Sequence, residues 1–163
     1  MSRLAAVLLT AFVVTNVGNA DAQEHHKAWW KYLKGTWTYE IAPLNAKGTV
    51  TWRIAAKGNA MVGRFVDADG LTSIEIGGWR ADTKSMVAHG YGSKGNYWQL
   101  EFTTITADVI EGPNHGVLPD GRAYKGTFTG KKIDNDHYEW HFKGKTGEGE
   151  DLTMSGKYTR KNE

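Results

Sequence analysis

The sequence contains no cysteine, only three prolines and no strong excess of either charge. The absence of cysteine excludes a disulfide framework, a thiolate-bound zinc or iron–sulfur centre and a thiol nucleophile. The 20 Lys and Arg against 18 Asp and Glu leave a net charge of +2. This balance argues against a nucleic-acid partner, because such proteins concentrate positive charge.

Long apolar runs are also missing, since the longest is the 11-residue stretch Leu4–Val14. A membrane span needs about 20 residues, so this stretch is too short to cross a bilayer. Arg3 precedes it and Ala20-Asp21-Ala22 follows it, which is typical of a secretory signal peptide. We expect residues 1–22 to be removed and residues 23–163 to form one soluble domain, exported to the periplasm or the extracellular space. An N-terminal anchor or a buried helix is the alternative.

The remainder of the chain is rich in glycine and aromatic residues, with 20 Gly and 12% Phe, Trp and Tyr. Apolar and polar residues alternate with a period of two, which is typical of half-buried antiparallel strands. Four runs show this best: Trp37–Ile41, Val50–Ile54, Trp98–Phe102 and Tyr138–Phe142. A helical period is present only at Lys27–Leu33, where we expect a short helical turn.

Nine turn signals divide the chain into ten candidate strands. They lie at 45–48, 57–59, 67–70, 82–84, 93–96, 106–108, 119–121, 134–136 and 147–149. Short connections make neighbouring strands pair antiparallel, and closure of such a meander removes its two exposed edges. The sequence therefore predicts an all-β fold, a single closed up-and-down barrel of about 8–10 strands.

The two ends of the predicted barrel resemble those of the lipocalins and related calycins. Residues 31–41 (KYLKGTWTYEI) are similar to the motif in which a helical turn leads into Gly-x-Trp on the first strand. Residues 157–160 (KYTR) are similar to the last strand, where an arginine packs over that tryptophan. The resemblance implies that Gly35, Trp37 and Arg160 close the barrel. Segments 77–84, 133–137 and 158–161 resemble secreted bacterial lipocalin-like families of undefined function.

Aromatic residues with inward parity are the candidates for ligand contact. A barrel of this width is not filled by its backbone, so these rings either fill the interior or line a pocket. Tryptophan and tyrosine walls suit a flat or lipophilic molecule, since they supply apolar area and a directional donor. We select Trp52, Trp98, Phe102 and Trp140 as candidate ligand-binding residues.

Two histidines complete the candidate ligand-binding set. His89 ends a strand near the barrel rim, and His115 lies in the unusual segment Glu111–Gly116. Each could donate a hydrogen bond at the rim, bind haem axially as in some calycins, or act as a general acid or base. Each could also be a turn histidine bonded to backbone or water.

The other histidines are assigned to solvent. His25 and His26 adjoin the predicted cleavage site, and we expect them in solvated chain. His137 and His141 share one strand face about 13 Å apart, which is too far to bind one metal ion. We therefore predict no metal site and no cofactor.

No catalytic residue is assigned. Side chains alternate between the two faces of a strand. Glu75 lies between Ile74 and Ile76, and Glu101 lies between two apolar residues, so we expect both carboxylates to face solvent. The most favoured function is binding of a small hydrophobic or aromatic molecule. The alternatives are a cofactor-free isomerase or cyclase that uses His89 or His115, and a filled barrel that serves protein contacts.

The signal-peptide prediction can be checked on the exported protein. We expect its intact mass to correspond to a chain that begins at Gln23. A mature protein that retains Arg3 would overturn the predicted location.

Overall fold

The computed structural model describes residues 17–161, with side chains from Gln23 onward, so the apolar run Leu4–Val14 lies outside the described residues. A helix, α1 (Val17–Leu33), precedes eleven strands. The strands are β1 (Gly35–Ala42), β2 (Ala46–Ala55), β3 (Ala60–Asp67), β4 (Thr72–Arg80), β5 (Ser85–Gly92), β6 (Tyr97–Phe102), β7 (Thr104–Ile105), β8 (Val109–Val117), β9 (Ala123–Lys132), β10 (His137–Thr146) and β11 (Asp151–Arg160).

The strands form a closed antiparallel barrel. Consecutive strands pair within β1–β6 and within β8–β11, and β11 pairs with β1. The barrel is completed where β6 pairs with β8, while the two-residue β7 continues beside β8. The fold is thus ten barrel strands with one short extra strand, and the predicted closed meander is confirmed. The connections between the ten barrel strands overlap the nine predicted turn segments.

One end of the barrel is covered by α1. The helix buries a stripe at His26, Trp29, Trp30 and Leu33, a spacing that puts all four side chains on one helical face. The Trp29 indole nitrogen donates to the Thr106 carbonyl at 2.8 Å, which ties the helix to the barrel wall. These contacts make α1 a plug at the end where β1 begins.

The helix corrects two expectations from the sequence. It begins at Val17 rather than Lys27, and His26 is fully buried instead of solvated. Its ring stacks on Trp79 with 4.8 Å between centroids, and its Nδ1 contacts the Gln23 carbonyl at 2.6 Å. Burial lowers the pKa of His26 below its usual value, because a charged imidazole is poorly solvated there.

Closure beneath the plug depends on Trp37 and Arg160, which are paired across β1 and β11. The Arg160 guanidinium carbon lies 4.1 Å from the centroid of the fully buried Trp37 ring. This distance is within the range of about 6 Å for a cation–π contact, the geometry expected from the sequence. Gly35 has a φ of +117°, and a Cβ there would lie 3.4 Å from the Arg160 guanidinium. The positive φ is what favours glycine here, since a Cβ at that distance would be in ordinary contact.

The same two side chains cap the end of α1. Arg160 donates to the Tyr32 carbonyl at 2.6 Å and to the Lys34 carbonyl at 2.9 Å. The Trp37 indole donates to the Leu33 carbonyl at 2.8 Å. The last carbonyls of a helix have no partner within the helix, and a positive charge there also complements its dipole. The same pair of side chains, Trp37 and Arg160, therefore both closes the barrel and attaches the plug helix.

A double-mutant cycle tests this unit. We expect Trp37→Ala to cost about 3–5 kcal/mol, since it removes a buried indole and leaves a cavity. Arg160→Ala should cost less, about 2–3 kcal/mol, with a coupling energy of about 1 kcal/mol or more in the double variant. Denaturant unfolding measures all three. Arg64→Ala, on the exposed face of β3, is the matched control and should be nearly neutral. Strictly additive losses in Trp37→Ala and Arg160→Ala would show that the two side chains do not stabilise each other.

Candidate functional site

The barrel encloses a cavity of about 740 Å³. Its floor includes Trp30 and Leu33 of α1, and its wall is formed by inward-facing side chains of the strands. The lining continues into the loops at the end opposite α1, which are 43–45, 68–71, 93–96 and 118–122. The site is therefore a cup, closed by the helix and bordered by loops at its other end.

The four selected aromatic residues all line this cavity, so the structure brings Trp52, Trp98, Phe102 and Trp140 together. They belong to three strands, β2, β6 and β10, and each has the inward parity expected of it. The other aromatic residues that line the cavity are Trp30, Tyr39, Phe65, Tyr97, Tyr124, Phe128, Tyr138 and Tyr158. The cavity wall thus extends beyond the four selected rings, and Tyr39, Phe65, Phe128, Tyr138 and Tyr158 also have the inward position that strand alternation predicts.

Glycines on neighbouring strands determine how the indoles lie. Trp52 is paired with Gly63, and Trp98 with Gly90. A Cβ built on Gly63 would lie 2.2 Å from the Trp52 ring, and one built on Gly90 would lie 2.0 Å from the Trp98 ring. No side chain fits at such distances, so each indole lies across the glycine backbone. The rings therefore rest along the barrel wall and leave the interior open.

Glu75 requires a correction, because its side chain lines the cavity instead of facing solvent. The apolar neighbours that set its predicted parity, Ile74 and Ile76, lie on the outer face with 46% and 53% exposure. On β4 the inward positions are Ser73, Glu75, Gly77 and Trp79. The apolar Trp79, which shares the parity of Glu75, is the signal that could have identified the inward face.

The Glu75 carboxylate has one hydrogen-bond partner among the described side chains, the Trp98 indole, which donates to Oε2 at 2.5 Å. Loss of hydration raises the pKa of Glu75 to about 7, and the Trp98 bond lowers it in part. Glu75 is therefore close to half protonated at neutral pH. A carboxyl group with this pKa can either donate or accept a proton within the cavity.

The other polar groups near Glu75 are neutral. Burial raises the pKa values of Tyr124, Tyr138 and Tyr158 above the usual tyrosine range, so their hydroxyl groups keep their protons. The Tyr124 hydroxyl donates to the side-chain oxygen of the buried Asn114 at 3.3 Å. The cavity thus combines aromatic walls, a few hydroxyl groups and one ionisable carboxyl group near its middle.

His89 and His115 do not belong to this site, which corrects their selection as ligand-binding residues. Each is exposed between two buried neighbours on its strand, so each points outward from the barrel wall. Neither lines the cavity, and neither can reach a haem or a substrate held within it.

The remaining histidines agree with a surface assignment. His137 and His141 are exposed on β10, and His137 contacts the Asp134 carboxylate at 2.8 Å. Among the side chains from Gln23 to Lys161, no group of three or more His, Cys, Asp or Glu has the geometry of a metal site.

Comparisons with known proteins give a distant structural likeness. Neither a protein-family model nor a curated protein matches the chain. A de novo designed fluorescence-activating β-barrel is 16% identical with a TM-score of 0.41, over 80% of this chain and 95% of that one. The redesigned barrel mFAP0, bound to DFHBI, is 12% identical with a TM-score of 0.41, over 79% and 99%.

A protein of unknown function from the DUF3598 family of Nostoc punctiforme PCC 73102 is 7% identical with a TM-score of 0.23. That alignment covers 83% of this chain and 99% of the other. All three likenesses are too distant to indicate a ligand or an activity. Within the described part of the chain, no helix has the length and apolar character needed to cross a membrane.

The inward position of Glu75 predicts an unusual dependence of stability on pH. The unfolded chain ionises Glu75 near pH 4.5 and the folded chain only near pH 7, so the folded state loses stability as pH rises between these values. At about 1.36 kcal/mol per pKa unit, the loss is at most about 3 kcal/mol and is complete above pH 7. We expect Glu75→Gln to be more stable than the wild type at about pH 8 by up to this amount, and equal to it at about pH 4. Denaturant unfolding across pH measures the difference, and equal stability on the alkaline side would place Glu75 in solvent.

Proposed function

We propose that this chain is an exported, lipocalin-like barrel that binds one small hydrophobic or aromatic molecule in its central cavity. The observation that supports this proposal is the open, aromatic-lined cup of about 740 Å³. Pockets for small molecules have volumes of about 300–1,000 Å³ and mostly apolar walls with a few polar groups. Trp52, Trp98, Phe102 and Trp140 are the proposed contacts.

The energy of such binding comes mainly from apolar burial. A ligand that buries about 200 Å² of apolar surface gains on the order of 5 kcal/mol. Ring pairs such as Trp52 with Phe65, whose centroids are 5.4 Å apart, and Phe128 with Trp140, at 5.5 Å, hold the wall in place before a ligand arrives. A preorganised wall reduces the entropy lost on binding. The cavity is therefore suited to a rigid, flat molecule.

Export is supported by the sequence features around the N-terminus. Cleavage after Ala22 would leave Gln23–Leu33 as the plug helix. The described contacts of α1 with the barrel come from His26, Trp29, Trp30, Tyr32 and Leu33, all of which lie after this point. The mature domain would therefore keep its plug.

A second candidate is a cofactor-free isomerase or cyclase on the same barrel. The observation in its favour is Glu75, whose pKa of about 7 suits general acid–base catalysis. Glu75, and not His89 or His115, would then be the general acid or base. Such an enzyme would lose turnover in Glu75→Gln while it still bound its substrate.

The binding function is tested with Nile red, a neutral dye whose emission rises in apolar surroundings. Ser73 lines the cavity, whereas its neighbour Ile74 is exposed on the outer face. We expect Ser73→Trp to fill part of the cavity and weaken dye binding by at least about tenfold. Ile74→Trp adds an indole on the same strand and should leave binding unchanged.

Thermal unfolding of both variants confirms that they are folded before their affinities are compared. Equal dye binding by Ser73→Trp and Ile74→Trp would show that the dye occupies the outer surface. Absence of dye binding to the wild type would contradict the proposed function.

A further inference from the structure

One layer of the cavity wall places a carboxylate between two indoles. Following the strand pairing, the layer runs Trp52, Gly63, Glu75, Gly90 and Trp98. Because both glycines are covered by the adjacent indoles, the rings extend toward Glu75 from either side. On the Trp98 side the indole nitrogen reaches the carboxylate. An acidic side chain thus lies in an aromatic setting halfway along the cup.

This carboxylate has no cationic partner among the described side chains. None of the ion pairs between residues 23 and 161 includes Glu75. The titratable groups that face it from other strands are Tyr124, Tyr138 and Tyr158, and all three are neutral. A carboxylate held away from bulk water without a counter-ion is costly, and a cation that pairs with it offsets part of that cost.

On the basis of the proposed function, we infer that the natural ligand is a hydrophobic or aromatic amine whose protonated nitrogen pairs with Glu75 between Trp52 and Trp98. The carboxylate supplies the opposite charge and a charge-assisted hydrogen bond. The two indoles supply apolar area on either side of it. The remaining rings contact the apolar body of the ligand. Glu75 is then the residue that determines which class of small molecule the cup accepts.

Other ligand charges fit this layer less well. An anionic ligand would put a second negative charge beside Glu75, and like charges in a low dielectric repel strongly. A neutral ligand would leave Glu75 without a counter-ion, so the carboxyl group would have to stay protonated. A cationic ligand is the kind that can form an ion pair with the Glu75 carboxylate.

The matched probes are 1-naphthylmethylamine, which is protonated at neutral pH as lysine is, and the neutral 1-naphthalenemethanol. Titration calorimetry at about pH 8 compares their affinities. We expect the wild type to favour the amine by at least about tenfold, the discrimination of one charge-assisted hydrogen bond. Glu75→Gln should lose this preference while it keeps its affinity for the alcohol.

Glu111→Gln is the control, because Glu111 is exposed on the outer face of β8. It removes the same negative charge from the protein without changing the cavity, so it should keep the preference for the amine. An equal loss of preference in Glu111→Gln would show a general charge effect and overturn the inference.

A second readout is the proton released on binding. At about pH 6 the free protein holds Glu75 mostly protonated, since its pKa is about 7. Pairing with the amine requires the carboxylate, so binding should release close to one proton per amine. Calorimetry in buffers of different ionisation enthalpy counts this proton. Release should be absent with the alcohol and absent in Glu75→Gln.

The outcomes separate this inference from the proposed function. If Nile red or the alcohol binds the wild type at least as tightly as the amine does, and Glu75→Gln changes nothing, the cup binds ligands but the amine inference is wrong. If no probe binds, the proposed function and this inference both fail. Preference for the amine that depends on Glu75, with proton release, supports both.

Discussion

The architecture of the interior depends on a steric constraint between tryptophan and glycine. An indole that projects from one strand of a narrow barrel would cross the lumen unless a neighbouring position has no side chain. Here Trp52 lies across Gly63, Trp98 across Gly90, and Trp140 across Gly156, where a Cβ would lie 2.2 Å from the indole nitrogen. The rings therefore form part of the wall, and the space that they would otherwise fill becomes a cavity of about 740 Å³. Glycine content, usually associated with turns, determines here that the barrel is open.

The two ends of the barrel then have different roles. At one end, Trp37 and Arg160 join the first and last strands and bind the final carbonyls of α1, so closure of the sheet and closure of the cup are the same event. At the other end, loops border the cavity. Glu75 lies midway along β4, between these two ends, and its side chain lines the cavity. Its raised pKa is the electrostatic consequence of this position.

The strands and turns were predictable from the sequence because both depend on local signals. Period-two alternation marks the strands, and short polar segments mark the turns. The contact between Trp37 and Arg160 could be predicted from the resemblance to the calycins and from the inward positions of both residues on their strands. The aromatic wall could also be predicted, because simple alternation places Trp52, Trp98, Phe102 and Trp140 on the inner face.

The remainder of the site depends on information that alternation does not contain. Alternation alone predicts the wrong face for Glu75, because it assumes that apolar residues face inward. A barrel with a cavity tolerates a carboxyl group inside and Ile74 and Ile76 outside. The burial of His26 depends on the docking of α1 against Trp79, a tertiary contact between distant segments. His89 and His115 point outward because their strand neighbours take the inward positions.

Native mass spectrometry of the protein purified from its own host tests the central claim, that the interior is a ligand cavity. The account predicts one bound small molecule per chain in the wild type, retained under gentle ionisation and lost on denaturation. We expect the same added mass in Ile74→Trp and its loss in Ser73→Trp, because only the indole at position 73 enters the cavity. A wild-type chain that carries no added mass, or a mass retained equally by Ser73→Trp, would contradict the account.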